Sequence, residues 1–138
     1  MLNVLVDTGP LVAALDKRDP RHAWAVDELR RLKRTSTVWP AITEASHLLA
    51  RRSADGPARL LQILSREGME VAPMSADDLT PLHFLVSQYA DLPMDLADAA
   101  LLHAYHRDGY DAVMTTDLRD FSIYRIAGKP VRLIAPRD

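Results

Sequence analysis

Leu2-Asn3-Val4-Leu5-Val6-Asp7-Thr8-Gly9-Pro10 decides how this chain is read. A short apolar, β-branched run stops abruptly at four residues of cap and turn chemistry. A run that is apolar throughout, rather than alternating, suits a strand covered on both faces. Pro10 fits the first turn of a helix over Leu11–Leu15. A buried strand therefore feeds directly into a helix, with an acid at the junction. The same alternation continues outward. Pro20 opens a second helix, in which Ala25, Val26, Leu29 and Leu32 form an apolar stripe. Arg30, Arg31, Lys33 and Arg34 crowd its end, where cations complement the helix dipole. Thr37-Val38-Trp39 reads as a second strand, cut by Pro40, and a helix follows to about Arg52 with Ile42, Ala45 and Leu49 on one face. Asp55-Gly56-Pro57 breaks that helix, and Leu60, Leu61 and Leu64 mark the next. Glu70-Val71-Ala72 is a weak third strand. Ser75 with Asp78 has the form of a capping box, and Leu79, Leu82, Val86 and Tyr89 then keep helical spacing. Pro93 begins a helix to about Arg107, which Asp108-Gly109 ends. Ala112–Thr116 and Val131–Ile134 are the last strands. Strands separated by helices imply right-handed crossovers and a mainly parallel sheet with helices on both faces.

Composition narrows the function. The 138 residues hold 17 Lys and Arg against 19 Asp and Glu, a formal charge of −2, and 48% are hydrophobic. That length suits one domain, 1–138, with a real core. Near-neutral charge excludes nucleic-acid binding by bulk basicity, so any such partner must be held by local patches. Zero Cys excludes disulfides, thiolate zinc sites, iron–sulfur clusters and thiol nucleophiles, and fits a reducing cytoplasm. No apolar run approaches the roughly 18 residues of a membrane helix, so no membrane association is expected. The opening Met1-Leu2-Asn3-Val4 lacks a basic segment and a cleavage site, so no secretory leader is expected.

The positions of the acids carry the chemistry. Asp7 and Asp117 each sit where a strand ends, and in a parallel sheet those ends share the edge where α/β proteins bind ligands. Glu44, one turn into the helix after the second strand, can reach the same edge. Asp98 stands in Met94-Asp95-Leu96-Ala97-Asp98-Ala99-Ala100-Leu101-Leu102, apolar on nearly every side apart from its two acids, with no Lys or Arg between Pro93 and Tyr105. An ionised carboxylate there is costly unless paired or bound to a metal. Gathering Asp7, Glu44, Asp98 and Asp117 is repulsive without a cation, and an all-oxygen anionic donor set matches Mg²⁺ or Mn²⁺. Such ions act on phosphoryl groups. Each acid also has an ordinary reading: Asp7 as a helix cap, Asp95 as a first-turn acid, Asp117 as a turn residue, Glu44 as a solvated helix residue.

Four segments in order resemble the PIN-domain ribonucleases, and within them the VapC-type toxins of toxin–antitoxin pairs. They are Val4-Leu5-Val6-Asp7-Thr8-Gly9-Pro10-Leu11-Val12, Thr43-Glu44-Ala45, Pro93-Met94-Asp95-Leu96-Ala97-Asp98-Ala99 and Thr115-Thr116-Asp117-Leu118-Arg119-Asp120-Phe121. The trailing Phe121-Ser122-Ile123-Tyr124-Arg125 is similar to the ending of such domains. The resemblance implies a PIN-like three-layer sandwich around a sheet of four or five strands, usually a homodimer. It implies a catalytic quartet of Asp7, Glu44, Asp98 and Asp117, with Asp7, Asp98 and Asp117 holding Mg²⁺ or Mn²⁺ and Glu44 helping to orient it. Asp95, Thr115 and Asp120 are implied as auxiliaries. The implied activity is endonucleolytic cleavage of RNA, often tRNA or rRNA, to 5′-phosphate and 3′-hydroxyl ends, and the implied partner is a small VapB-type antitoxin. An acidic pocket repels RNA, so basic rims must hold the strand, with Arg18, Arg21, the Arg30–Arg34 cluster, Arg51 and Arg52 as candidates, although each also reads as part of a solvated helix face.

Other residues fit bland roles. The five His form no His-Glu-x-x-His motif, and His103 and His106 suit the end of a helix dipole. Trp24 and Trp39 read as core or interface residues. Two rivals remain: a PIN-like module that binds but no longer cuts, and a phosphotransfer domain. The phosphotransfer domain lacks the acid that a haloacid-dehalogenase-type phosphatase would carry at Gly9.

Overall fold

The computed structural model describes residues 1–92 and 94–137. The order of elements is β1 (Asn3–Val6), α1 (Thr8–Leu15), α2 (His22–Arg31), β2 (Arg34–Thr37), α3 (Trp39–Arg52), α4 (Gly56–Arg66), β3 (Glu70–Val71), a 3₁₀ turn (Ala76–Asp78), α5 (Leu79–Gln88), α6 (Leu96–Arg107), β4 (Ala112–Met114), α7 (Leu118–Ile123), β5 (Arg125–Ile126), β6 (Lys129–Pro130) and β7 (Leu133–Ile134).

Five strands form one parallel sheet in the order β3-β2-β1-β4-β7. β1 is central, and its Val4, Leu5 and Val6 are fully buried, as the unbroken apolar run requires. Alternation along β1 divides the core into two. Leu5 and Val113 pack with Leu101, Leu102, Phe121 and Tyr124 on one face. Val4, Val6, Ala112 and Met114 pack with Leu11, Ile42, Leu49 and Leu60 on the other. The result is the expected three-layer α/β sandwich. From β1 the chain winds outward through β2 to β3, then returns to the other side of β1 with β4 and β7. The strand order therefore reverses between β1 and β4, and the carboxyl ends of these strands border a crevice.

Several boundaries differ from the expectations. The second strand is Arg34–Thr37, so Arg34 is a strand residue, Val38 caps α3 and Trp39 is its first residue. The polar strand is tolerated inside because Thr37 donates its hydroxyl to Val6 O at 2.8 Å. Leu61, Leu79 and Val86 are exposed; Leu82 and Tyr89 pack against the core as their spacing predicts, joined by Ile63 and Leu85. The helix expected from Pro93 begins at Leu96, with Asp95 as its cap; Pro93 itself lies outside the described residues. The Ser75–Asp78 capping box is present. α7 and the β5–β6 hairpin escaped the sequence reading. α7 has only six residues. The hairpin turns through Ala127 and Gly128, both at positive φ, where Ala gives no turn signal.

Candidate metal centre

The reversal of strand order brings the ends of β1 and β4 side by side. Asp7 N–H donates to Met114 O at 2.9 Å, continuing the ladder one residue past β1. Asp7 is 6% exposed. Its Oδ1 accepts from Thr8 N–H at 2.7 Å and its Oδ2 from the Thr115 hydroxyl at 2.8 Å. Thr115 Oγ1 in turn accepts from Asp117 N–H at 2.8 Å. One threonine thus fastens the loop after β4 to the acid after β1. Asp117 caps α7, accepting from Asp120 N–H at 3.2 Å, which turns Asp120 toward the same side. Across the crevice, Asp95 caps α6 and accepts from Asp98 N–H at 2.9 Å. Asp98 Oδ2 accepts from the Tyr124 hydroxyl at 2.8 Å.

Asp7, Glu44, Asp95, Asp98, Asp117 and Asp120 all line one cleft of about 310 Å³, together with Thr8, Asp19, Arg21 and Arg52. Within it, one carboxylate oxygen each of Asp98, Asp117 and Asp120 lies within 4.8 Å of the other two. Asp7 sits outside this trio, buried just past the carboxyl end of β1.

The electrostatics follow from crowding. Burial pushes the Asp98 carboxyl up to about 7, helped by Asp95 and then Asp7 and Asp117, against the Tyr124 hydrogen bond. Burial also pushes Asp7 up to about 6, opposed by its bonds from Thr115 and Thr8 and reinforced by Glu44 and Asp117. Glu44 is raised by burial and by Asp95, with Thr8 nearby offsetting part of the effect. Asp117 is raised by burial and by Asp120. Tyr124 is raised by burial and by the Asp98 carboxylate it faces. A set of acids that raise one another's pKa values is one that a cation would stabilise.

The donor set fits a hard divalent cation. All its candidate ligands are oxygens. Thr8 Oγ1, also lining the cleft, is buried without a hydrogen bond of good geometry. A buried hydroxyl with a poorly aligned Glu44 carboxylate beside it is the surrounding that an ion and its water would complete.

The basic candidates divide. Arg21 and Arg52 line the cleft. Arg52 pairs with Asp16 at 2.8 Å and with Asp19 at 3.3 Å, and Arg18 binds Asp16 at 3.2 Å and Arg52 O at 3.3 Å. Their charges are thus largely engaged at the rim. Arg51 lines a neighbouring groove with Trp39 and Leu96. The Arg30–Arg34 cluster does not reach the site: Arg34 begins β2, so the cluster lies at the opposite end of the strands. Trp39 is no core residue, being 56% exposed beside the cleft, whereas Trp24 packs against the core. His103 binds Asp78, which Arg107 also holds, each at 2.8 Å. Tyr124 and Thr8 carry no signal in the sequence for a role at this site. No local pattern could have placed Tyr124 against Asp98, 26 residues away.

The comparisons bear on this arrangement. No protein-family model matches the chain. Ribonuclease VapC26 of Mycobacterium tuberculosis is 28% identical over 127 residues, covering 91% of this chain and 94% of that protein. The crystal structure of M. tuberculosis VapC20, a sarcin–ricin loop cleaving toxin, matches with a TM-score of 0.71 at 20% identity, over 80% of this chain and 87% of that one. VapBC2 from Rickettsia felis, solved bound to a DNA fragment from its promoter, contains a chain matching with a TM-score of 0.69 at 16% identity, over 99% of this chain and all of that one. The fold is thus the PIN-like α/β sandwich of the VapC toxins, and the chain resembles a VapC ribonuclease along most of its length.

Proposed function

We propose that this chain is a divalent-cation-dependent endoribonuclease, a single PIN domain over 1–138 that acts as the toxin of a VapBC-type pair. The observation that carries the reading is the meeting of the Asp98, Asp117 and Asp120 carboxylates within 4.8 Å, beside Asp7 and Glu44, at the point where strand order reverses. The similarity to VapC26 and to VapC20 supports the same activity.

In this account Asp7, Asp98 and Asp117 hold Mg²⁺ or Mn²⁺, and Glu44 orients the centre from α3. The cation supplies positive charge to a phosphodiester and makes water a better nucleophile. The chain does the rest. Thr115 locks Asp7 and the Asp117 loop in one geometry. Asp95 sets the first turn of α6, and so the height of Asp98. Asp120 adds a nearby carboxylate that helps to hold the ion. Arg21 and Arg52 at the rim, with Arg18 and Arg51 beyond, guide the RNA backbone across an otherwise repulsive pocket. Hydrolysis leaves 5′-phosphate and 3′-hydroxyl ends. The chain works in the cytoplasm as a homodimer, held in check by a VapB-type antitoxin. Because VapC20 cleaves the sarcin–ricin loop, ribosomal RNA is the first substrate to try, with tRNA beside it.

The test is cleavage of RNA by purified protein with Mg²⁺, with Mn²⁺ and with chelator. Cleavage in the first two and none in the third, abolished in Asp98→Asn, supports the reading. Metal-independent cleavage, or equal cleavage by the variant, refutes it, and no cleavage under any condition favours a binding module.

A further inference from the structure

Asp98 has one oxygen already committed. Its Oδ2 accepts the Tyr124 hydroxyl at 2.8 Å. Tyr124 is 1% exposed, and its ring is wedged edge-on against Phe121 and Tyr89, with centroids at 5.2 and 5.0 Å. Tyr89 is itself anchored: its hydroxyl accepts Arg125 N–H at 2.7 Å and donates to Arg125 O at 3.1 Å. Tyr124 therefore cannot swing away without disturbing a packed aromatic cluster. It also closes the carboxyl end of α7, whose amino end is Asp117. One six-residue helix thus links a candidate ligand to the hydroxyl that restrains a second.

A carboxylate that accepts a hydrogen bond on one oxygen keeps both lone pairs of the other and one of the first, so two-oxygen ligation is disfavoured. Ca²⁺ takes roughly six to eight oxygens and readily uses both oxygens of a carboxylate, whereas Mg²⁺ demands a near-octahedral set. We propose that Tyr124 biases Asp98 toward ligation through Oδ1 and so makes the centre discriminate against Ca²⁺ in favour of Mg²⁺ and Mn²⁺. The inference rests on the metal centre proposed above. Tyr124 is a positioning residue: it touches Asp98, not the ion or the RNA.

Calorimetric titration with Mn²⁺ and with Ca²⁺ tests it, on wild type, Tyr124→Phe and Tyr110→Phe, without RNA. Tyr124→Phe keeps the ring and removes the hydroxyl. The ratio of the Ca²⁺ Kd to the Mn²⁺ Kd is expected to fall about tenfold in Tyr124→Phe, the scale of an outer hydrogen bond on a metal ligand, and to stay at the wild-type value in Tyr110→Phe, whose hydroxyl lies away from the cleft. A ratio unchanged in Tyr124→Phe, or lowered equally in both variants, overturns the role of Tyr124 while leaving the metal centre standing. Failure of wild type to bind either ion overturns the centre and this inference together. A Mn²⁺-loaded crystal of the wild-type protein gives a second reading that does not depend on the variants folding. One-oxygen ligation by Asp98, with Oδ2 still on Tyr124, supports the proposal, and two-oxygen ligation overturns it.

Discussion

Asp98 concentrates the physics of the site in one side chain. Folding moves its pKa from 3.8 to about 7, and that of Asp7 from 3.8 to about 6, with burial the first cause of each. A carboxyl whose folded pKa is raised holds its proton where the unfolded chain has lost it. The folded state then binds more protons, so stability falls as pH rises from about 4 through about 7. Thermal unfolding in chelator should accordingly show Tm falling across that window, and Asp98→Asn should flatten the descent and melt higher than wild type above it. A wild-type Tm that rises over the same range would contradict this. The isolation of Asp98 was readable in the sequence, because its helix is apolar around it and offers no local cation. The depth of Asp7 was less so, since an acid after a strand reads equally well as a cap, and it is one: its carboxylate accepts from Thr8 N–H. Tyr124 was unreadable, because its partner lies on another helix.

Two close approaches between elements control how the site is held. A Cβ at Gly9, in the first turn of α1, would stand 2.0 Å from Thr116 Oγ1 and 3.2 Å from Thr116 Cβ. Rotation of the threonine relieves the first contact and not the second, so Gly9→Ala pushes the β4–α7 loop, and Asp117 with it, away from α1. The shift needed is a few tenths of an ångström, so cleavage should slow by up to about tenfold, while circular dichroism stays native; unchanged cleavage would show that the loop adapts freely. At Gly56, which opens α4, a Cβ would stand 2.6 Å from the Leu49 carbonyl oxygen of α3. That contact is with backbone and cannot rotate away. Gly56→Ala should cost about 2 kcal/mol in urea unfolding, and a cost near zero would contradict the tight α3–α4 contact. Elements with a strong pattern were legible: β1 is apolar from Val4 to Val6, and α3 shows a clear stripe. Those without one were not. β2 is Arg-Thr-Ser-Thr, which has no apolar signature, and its Ser36 and Thr37 are buried where it lies paired between β1 and β3. In α5 the phase follows from the 3₁₀ turn before it, which places Leu85 inside and Leu79 and Val86 outside.

At the scale of the whole molecule, a chain of net charge −2 gathers seven of its 19 acids around one cleft and opposes them with rim arginines that are partly neutralised by Asp16 and Asp19. Metal-free protein therefore carries a repulsive pocket, and a bound cation relieves it. Mn²⁺ at about a hundred times its Kd should add about 2.7 kcal/mol, read as a Tm rise of roughly 5–10 °C, and the rise should vanish in Asp98→Asn. No rise in wild type would count against the metal centre. The strand alternation foretold a parallel sheet and hence the convergence of Asp7 and Asp117. It did not foretell that Asp120, through its bond to Asp117, would join the trio of closest oxygens while Asp7 stays deeper. The most direct test of the nuclease reading is the mapping of cellular RNA 5′ ends after brief induction of wild type beside Asp98→Asn. New 5′-phosphate ends are expected at discrete positions in wild type and none in the variant; identical ends in both, or none in either, would overturn the nuclease reading.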